Sequence, residues 1–143
     1  YPAAIKKFLP EVHIFSVACP LFVPLAEEGW LEHPAVELIT KEYLVPLKEH
    51  NIDTLVLGCT HYPLLSKIIQ QVMGQEVTLV DSAMAIADYL SIYLSSETDG
   101  QKGMDTFYVS DNEAKFACIA ERILNSRCGN LTKVRLFESW FKE

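Results

Sequence analysis

The amino-acid sequence predicts an α/β fold, a mostly parallel sheet with flanking helices. Three observations lead there. Short β-rich runs alternate with segments of ten or more residues whose apolar positions keep a helical spacing. Prolines and Asp-Ser or Ser-Asp pairs stand where those helices would begin. The run Thr54-Leu55-Val56-Leu57 is continuously β-rich and stops at Gly58, the pattern of a buried parallel strand.

Taken in order, Val12-His13-Ile14-Phe15-Ser16-Val17-Ala18 is a β-rich run ending at Cys19-Pro20 and is expected to be a strand. Pro34 to His50 reads as a helix through Val36, Ile39, Tyr43, Leu44 and Leu47, with Pro46 expected to kink it or end it early. After the strand at Thr54–Leu57, Pro63 to Met73 is the next helix, stopped by Gly74. Val77 to Val80 is a further strand. Asp81-Ser82 is placed to cap the helix through Ile86, Tyr89, Leu90 and Tyr93. Ser95 to Gly103 is polar and reads as an exposed loop. Thr106-Phe107-Tyr108-Val109 is a strand, Ser110-Asp111 precedes a helix through Phe116, Ile119, Ala120, Ile123 and Leu124, and Lys133 to Leu136 is the last expected strand.

Composition narrows the function classes. In 143 residues, 50% hydrophobic and 22% charged side chains describe a globular chain rather than a disordered one. A formal net charge of -7 lacks the basic footprint of sequence-independent nucleic-acid binding. No apolar run has the length of a membrane span, and the first residues do not form a signal-peptide pattern. The four cysteines Cys19, Cys59, Cys118 and Cys128 lie far apart, without a zinc-type cluster, which reads as reduced thiols in a cytoplasmic protein.

In open α/β sheets ligands bind beyond the carboxyl ends of strands, and two such ends stand out: Ala18-Cys19-Pro20 and Gly58-Cys59-Thr60-His61. The second places a thiol between a buried strand and an expected helix N-terminus, whose free N–H groups favour a thiolate. Gly58 permits a sharp turn and a close approach to the backbone. His61 is close enough in sequence to exchange a proton with the thiol, and Thr60 offers a hydroxyl and an amide. On these residues alone, Cys59 reads either as a small buried thiol or as an acid/base group, and His61 either as a structural histidine or as its partner.

The stretch Gly58-Cys59-Thr60-His61-Tyr62-Pro63-Leu64-Leu65 resembles the second catalytic-cysteine motif of bacterial glutamate racemases. Ala18-Cys19-Pro20-Leu21-Phe22-Val23-Pro24-Leu25-Ala26-Glu27-Glu28-Gly29 resembles another signature of that family, in the same order and at a fitting separation. The resemblance implies a cofactor-independent interconversion of L- and D-glutamate that supplies D-glutamate for cell-wall peptidoglycan, with no metal or organic cofactor. It implies that Cys59 is one of two acid/base cysteines, the one that deprotonates the L-enantiomer. By the same resemblance His61 is its auxiliary acid/base residue and a substrate contact, Thr60 a substrate contact, and Glu27 a carboxylate near the histidine. Cys19 is a structural thiol. Related aspartate racemases typically carry Glu where His61 stands.

The resemblance also implies a two-domain aspartate/glutamate racemase-like fold. Residues 1–83 then form most of the second, inserted domain, and 84–143 return to the first. The family's other catalytic cysteine lies in an N-terminal motif that this sequence does not contain. The chain is therefore expected to be a racemase fragment inactive alone, its partners being glutamate, the missing N-terminal half and, through exposed apolar surface, further copies of itself. Two alternatives stand beside it: a non-catalytic truncated racemase serving as a binding module, and a related amino-acid racemase such as aspartate racemase.

Overall fold

The computed structural model describes residues 1–94 and 104–135. The chain divides into two compact units, Tyr1–Ser95 and Ser96–Glu143. The polar stretch Ser95–Gly103 and Leu136 lie outside the described residues.

In the first unit, helix α1 (Pro2–Phe8) starts on a proline, buries none of its residues, and is followed by an irregular stretch. Helix α2 (Phe22–Glu27) buries Phe22 and Ala26. Helix α3 (Pro34–Lys48) opens on Pro34, with the His33 ring accepting from the Ala35 amide at 3.1 Å. Strand β1 (Thr54–Leu57) leads into a short 3-10 helix (Tyr62–Leu65) and then helix α4 (Ser66–Met73). Strand β2 (Thr78–Asp81) lies parallel to β1, with Thr54 opposite Thr78 and Leu57 opposite Asp81. Helix α5 (Ser82–Ser91) follows, and the Asp81 side chain accepts from the Met84 amide at 2.9 Å, the predicted cap.

The second unit holds strand β3 (Thr106–Val109), helix α6 (Glu113–Leu124) and strand β4 (Asn130–Lys133). β3 and β4 are parallel, Thr106 opposite Asn130 and Val109 opposite Lys133. The α/β class and the parallel strands thus follow the sequence reading.

Several details differ from it. Residues 12–18 form no strand, because no described strand hydrogen-bonds to them, and β-propensity makes a strand only where a ladder partner exists. Helix α3 runs through Pro46 to Lys48. That proline is exposed and sits in the final turn, where the carbonyl it leaves unpaired faces water. Asn112 caps α6, accepting from the Lys115 amide at 2.9 Å, in place of Ser110-Asp111. The last strand begins three residues earlier than Lys133, where it pairs with β3. Helices α1 and α2 are too short for their apolar spacing to stand out from the sequence.

The core of the first unit joins α2, α3, the 3-10 helix, α4 and the end of β1. Phe22, Val36, Leu65, Ile69 and Met73 are fully buried there. Each such side chain contributes on the order of 1.5–3 kcal/mol by leaving water. The Phe22 ring meets Tyr43 and Tyr62 edge-on, with centroids 5.5 and 5.3 Å apart. Buried Thr40 donates its hydroxyl to the Val36 carbonyl at 2.7 Å. Lys48 Nζ donates to the Val72 carbonyl at 3.0 Å, tying the end of α3 to the end of α4. Gly74 then stops α4 at φ 100°, a left-handed conformation that suits glycine.

Candidate acid/base site

The carboxyl end of β1 delivers Cys59 to a loop that closes through a turn, the Tyr62 amide donating to the Cys59 carbonyl at 3.1 Å. The thiol is half-buried, and its sulfur lies 4.0 Å from His61 Nδ1. The opposite nitrogen of that ring, Nε2, is 3.5 Å from Glu27 Oε1 on the last residue of α2. Carboxylate, imidazole and thiol therefore stand in line. With the ring proton on Nε2, directed at Glu27, the Nδ1 lone pair faces the sulfur and is placed to take its proton. Thr60 is exposed, with its hydroxyl 3.5 Å from the same Nδ1. All four residues singled out in the sequence, Glu27, Cys59, Thr60 and His61, thus meet within one unit.

One expectation about this loop is corrected. No α-helix begins directly after Cys59: the 3-10 helix intervenes, and α4 starts only at Ser66. Pro63 and Leu64 close tight turns, the Leu64 amide donating to the His61 carbonyl at 3.1 Å. An aligned helix dipole at the thiol is therefore smaller than a direct strand-to-helix junction would supply. Gly58 does not turn through a left-handed conformation. Its lack of a side chain admits the Tyr1 ring, which a Cβ there would meet at 3.3 Å, the close approach that the sequence reading expected.

Cys19 belongs to the core, 4% exposed, and burial pushes its thiol up to about 11. At neutral pH it stays protonated, in keeping with a structural thiol. Its main chain has a second function. The Cys19 carbonyl accepts from the Phe22 amide at 3.1 Å and from the Tyr62 hydroxyl at 3.2 Å. Burial, followed by the neighbouring Cys19 and Cys59, raises the Tyr62 phenol above its ordinary value, so it remains a donor. Tyr62 joins the two signature stretches. Its place inside the Cys59 motif was the available signal, but a tyrosine followed by proline carries no chemistry of its own to mark it.

A thiol, an imidazole and a carboxylate meet at the end of a parallel strand, a grouping whose chemistry suits proton transfer. The relatives narrow it further. A glutamate racemase of Syntrophus aciditrophicus is 45% identical over 140 residues, covering 95% of this chain and 52% of that protein. Glutamate racemases of Neisseria meningitidis are 44% identical over the same proportions. Among solved structures, glutamate racemase of Francisella tularensis in complex with D-glutamate superposes with a TM-score of 0.75 at 34% identity, covering 94% of this chain and 52% of that one. An isoform from Bacillus anthracis gives 0.79 at 29%, covering 95% and 52%. No family model matches the chain. The protein is homologous to the glutamate racemases, and it spans about half the length of the curated relatives it matches.

Proposed function

We propose that this chain supplies one half of a cofactor-independent glutamate racemase site, with Cys59 as the acid/base group for one face of the substrate. The observation that carries the reading is the Glu27–His61–Cys59 line, at 3.5 and 4.0 Å. Its homology to glutamate racemases, one of them solved with D-glutamate, supports the substrate.

In this reading the Cys59 thiolate takes the Cα proton of L-glutamate. A second thiol on the opposite face returns a proton to Cα, so the substrate inverts and the two cysteines exchange protonation states. His61 accepts or returns the Cys59 proton. Glu27 orients the ring. Thr60 contacts the substrate. The Cα proton is a weak acid, so hydrogen-bond donors must be placed for the developing charge.

The second thiol lies in the other half of the racemase, so the chain alone does not turn over. Residues 1–83 belong to the inserted domain and 84–143 to the first. The product serves peptidoglycan synthesis in the cytoplasm. The test is to incubate the chain with L- and D-glutamate in heavy water and follow Cα deuteration and optical rotation. No sustained interconversion is expected. Sustained interconversion abolished by Cys59→Ser would overturn the half-site reading. Alkylation of Cys59 supplies a second readout. Its rate at neutral pH should fall in His61→Gln and, by less, in Glu27→Gln, and an unchanged rate in both removes the acid/base line.

A further inference from the structure

Tyr62 stands between the two parts of the acid/base line and bonds to both. Its amide donates to the Cys59 carbonyl at 3.1 Å, closing the turn that carries Cys59, Thr60 and His61. Its hydroxyl donates to the Cys19 carbonyl at 3.2 Å. That carbonyl also receives the Phe22 amide at 3.1 Å, the bond that brings the chain into α2. Helix α2 begins after Leu21 without a side-chain cap, so this backbone turn holds its first amide. The Phe22 ring, 1% exposed, meets the Tyr62 ring edge-on at 5.3 Å. From there α2 runs as one short rod to Glu27, with the Leu25 amide donating to the Leu21 carbonyl at 3.1 Å and the Glu28 amide to the Pro24 carbonyl at 3.0 Å.

We propose that Tyr62 is a positioning residue for proton transfer at Cys59: one side chain that fixes the helix bearing Glu27 against the turn bearing His61 and Cys59, and so keeps the carboxylate on the imidazole. The inference rests on the acid/base reading of Cys59 and His61 given above. The line has little slack. Glu27 Oε1 and His61 Nε2 stand 3.5 Å apart, at the outer limit of a hydrogen bond, and Cys59 Sγ and His61 Nδ1 stand 4.0 Å apart. The His61 and Glu27 side chains are both part-exposed, so water competes for each, and their alignment comes from the main chain beneath them. A slip of about an ångström between α2 and the turn frees the ring to rotate away from the sulfur, and a misplacement of that size can cost about a hundredfold in rate. The hydroxyl is suited to this use. Burial holds the Tyr62 phenol above its ordinary value, so it stays a donor at neutral pH. It is engaged by the Cys19 carbonyl, so Tyr62 acts through its neighbours and not on the substrate.

The experiment is a double-mutant cycle on the whole chain, read as the rate at which iodoacetamide alkylates Cys59 at neutral pH, followed by mass spectrometry of the peptide that contains it. Tyr62→Phe keeps the ring and its contact with Phe22 and removes only the hydroxyl, so the variant should fold. It should slow alkylation about threefold or more. In His61→Gln there is no imidazole to position, so adding Tyr62→Phe should change the rate by less than about twofold. Placing 4-aminophenylalanine at position 62 restores a donor and should recover most of the rate. Tyr43→Phe, on the other aromatic partner of Phe22, should leave the rate unchanged. A merely structural hydroxyl gives a different pattern, because a loosened loop alters access to the thiol equally with and without His61. Equal effects of Tyr62→Phe in the two backgrounds would overturn the inference, as would equal slowing by Tyr43→Phe. So would an unaltered rate in Tyr62→Phe beside a slowed His61→Gln, an outcome that leaves the pairing of Cys59 with His61 in place. An unaltered rate in His61→Gln removes that pairing and the inference together, so the two failures are told apart.

Discussion

The chain contains the same small motif twice, with unequal results. β1, α4 and β2 form a parallel β-α-β unit, and so do β3, α6 and β4. In the first, the helix buries Ile69, Val72 and Met73. In the second, only Ala120 is buried among the described residues, although α6 also has an apolar stripe and a side-chain cap. The difference is a second layer. Helix α4 packs against α3, whose Leu44 and Leu47 join its core and whose Lys48 bonds to its last turn. Among the described residues, α6 packs on β4, and its Phe116 ring lies 6.1 Å from Phe107 of β3. A β-α-β unit thus acquires its topology from local pattern but its core from what packs across it.

The largest test of this contrast deletes matched apolar groups. Ile69→Ala should cost about 3–4 kcal/mol, because a fully buried side chain leaves a cavity that close packing does not refill. Phe116→Ala, removing a half-buried ring 6.1 Å from that of Phe107, should cost about 1 kcal/mol. Native-state hydrogen exchange at the β1 and β3 amides reads each unit separately. Equal losses would erase the distinction.

A smaller effect sharpens the comparison at the level of single helices. Asp81→Ala and Asn112→Ala each remove one cap bond of 2.9 Å, so each should cost about 1 kcal/mol locally. Exchange at the first-turn amides of α5 and α6 checks this. The two caps should be equivalent even though the surrounding cores are not.

The next effect belongs to the first unit and appears only in alkali. The Cys19 thiol is raised from 9.0 to about 11 by burial. The neutral thiol is therefore favoured by folding. Its contribution is whole below pH 9 and is lost as pH rises toward 11, because the unfolded chain ionises first. Denaturant midpoints across that window should fall more steeply for the parent than for Cys19→Ala. Parallel curves would show that the buried thiol does not set the slope.

The smallest effect concerns the surface of the same unit. Lys67 pairs with Glu32 and, through that hydrogen bond and its charge, holds the carboxyl below its ordinary value. Both side chains are largely exposed, so Glu32→Gln should leave the thermal midpoint unchanged within error.

Much of this was legible in the residues, for physical reasons. β1 is read correctly because a short apolar run ended by glycine admits few other conformations. The Asp81 cap follows from side-chain chemistry that acts within three residues. The gathering of Glu27 with Cys59 and His61 was legible only through motif resemblance, since nothing local relates positions so far apart. The misreadings share a cause. Strand formation at Val12–Ala18 depends on a partner, the path of α3 through Pro46 depends on which face meets water, and the 3-10 helix after His61 depends on packing of Leu65 into the core. Each is decided by tertiary context, which periodicity does not carry.

The doubly bonded Cys19 carbonyl has a consequence for how the chain tolerates insertions and deletions. Both of its acceptor lone pairs are taken, one by the Phe22 amide and one by the Tyr62 hydroxyl. The bond from Tyr62 is made to main chain, so it is indifferent to the side chain at position 19. It is sensitive to spacing. An insertion of one residue between 19 and 22, or between 59 and 62, would shift one bonding partner and leave the other in place. A small apolar replacement at buried position 19 therefore keeps both bonds, whereas changes of length in either segment are poorly tolerated.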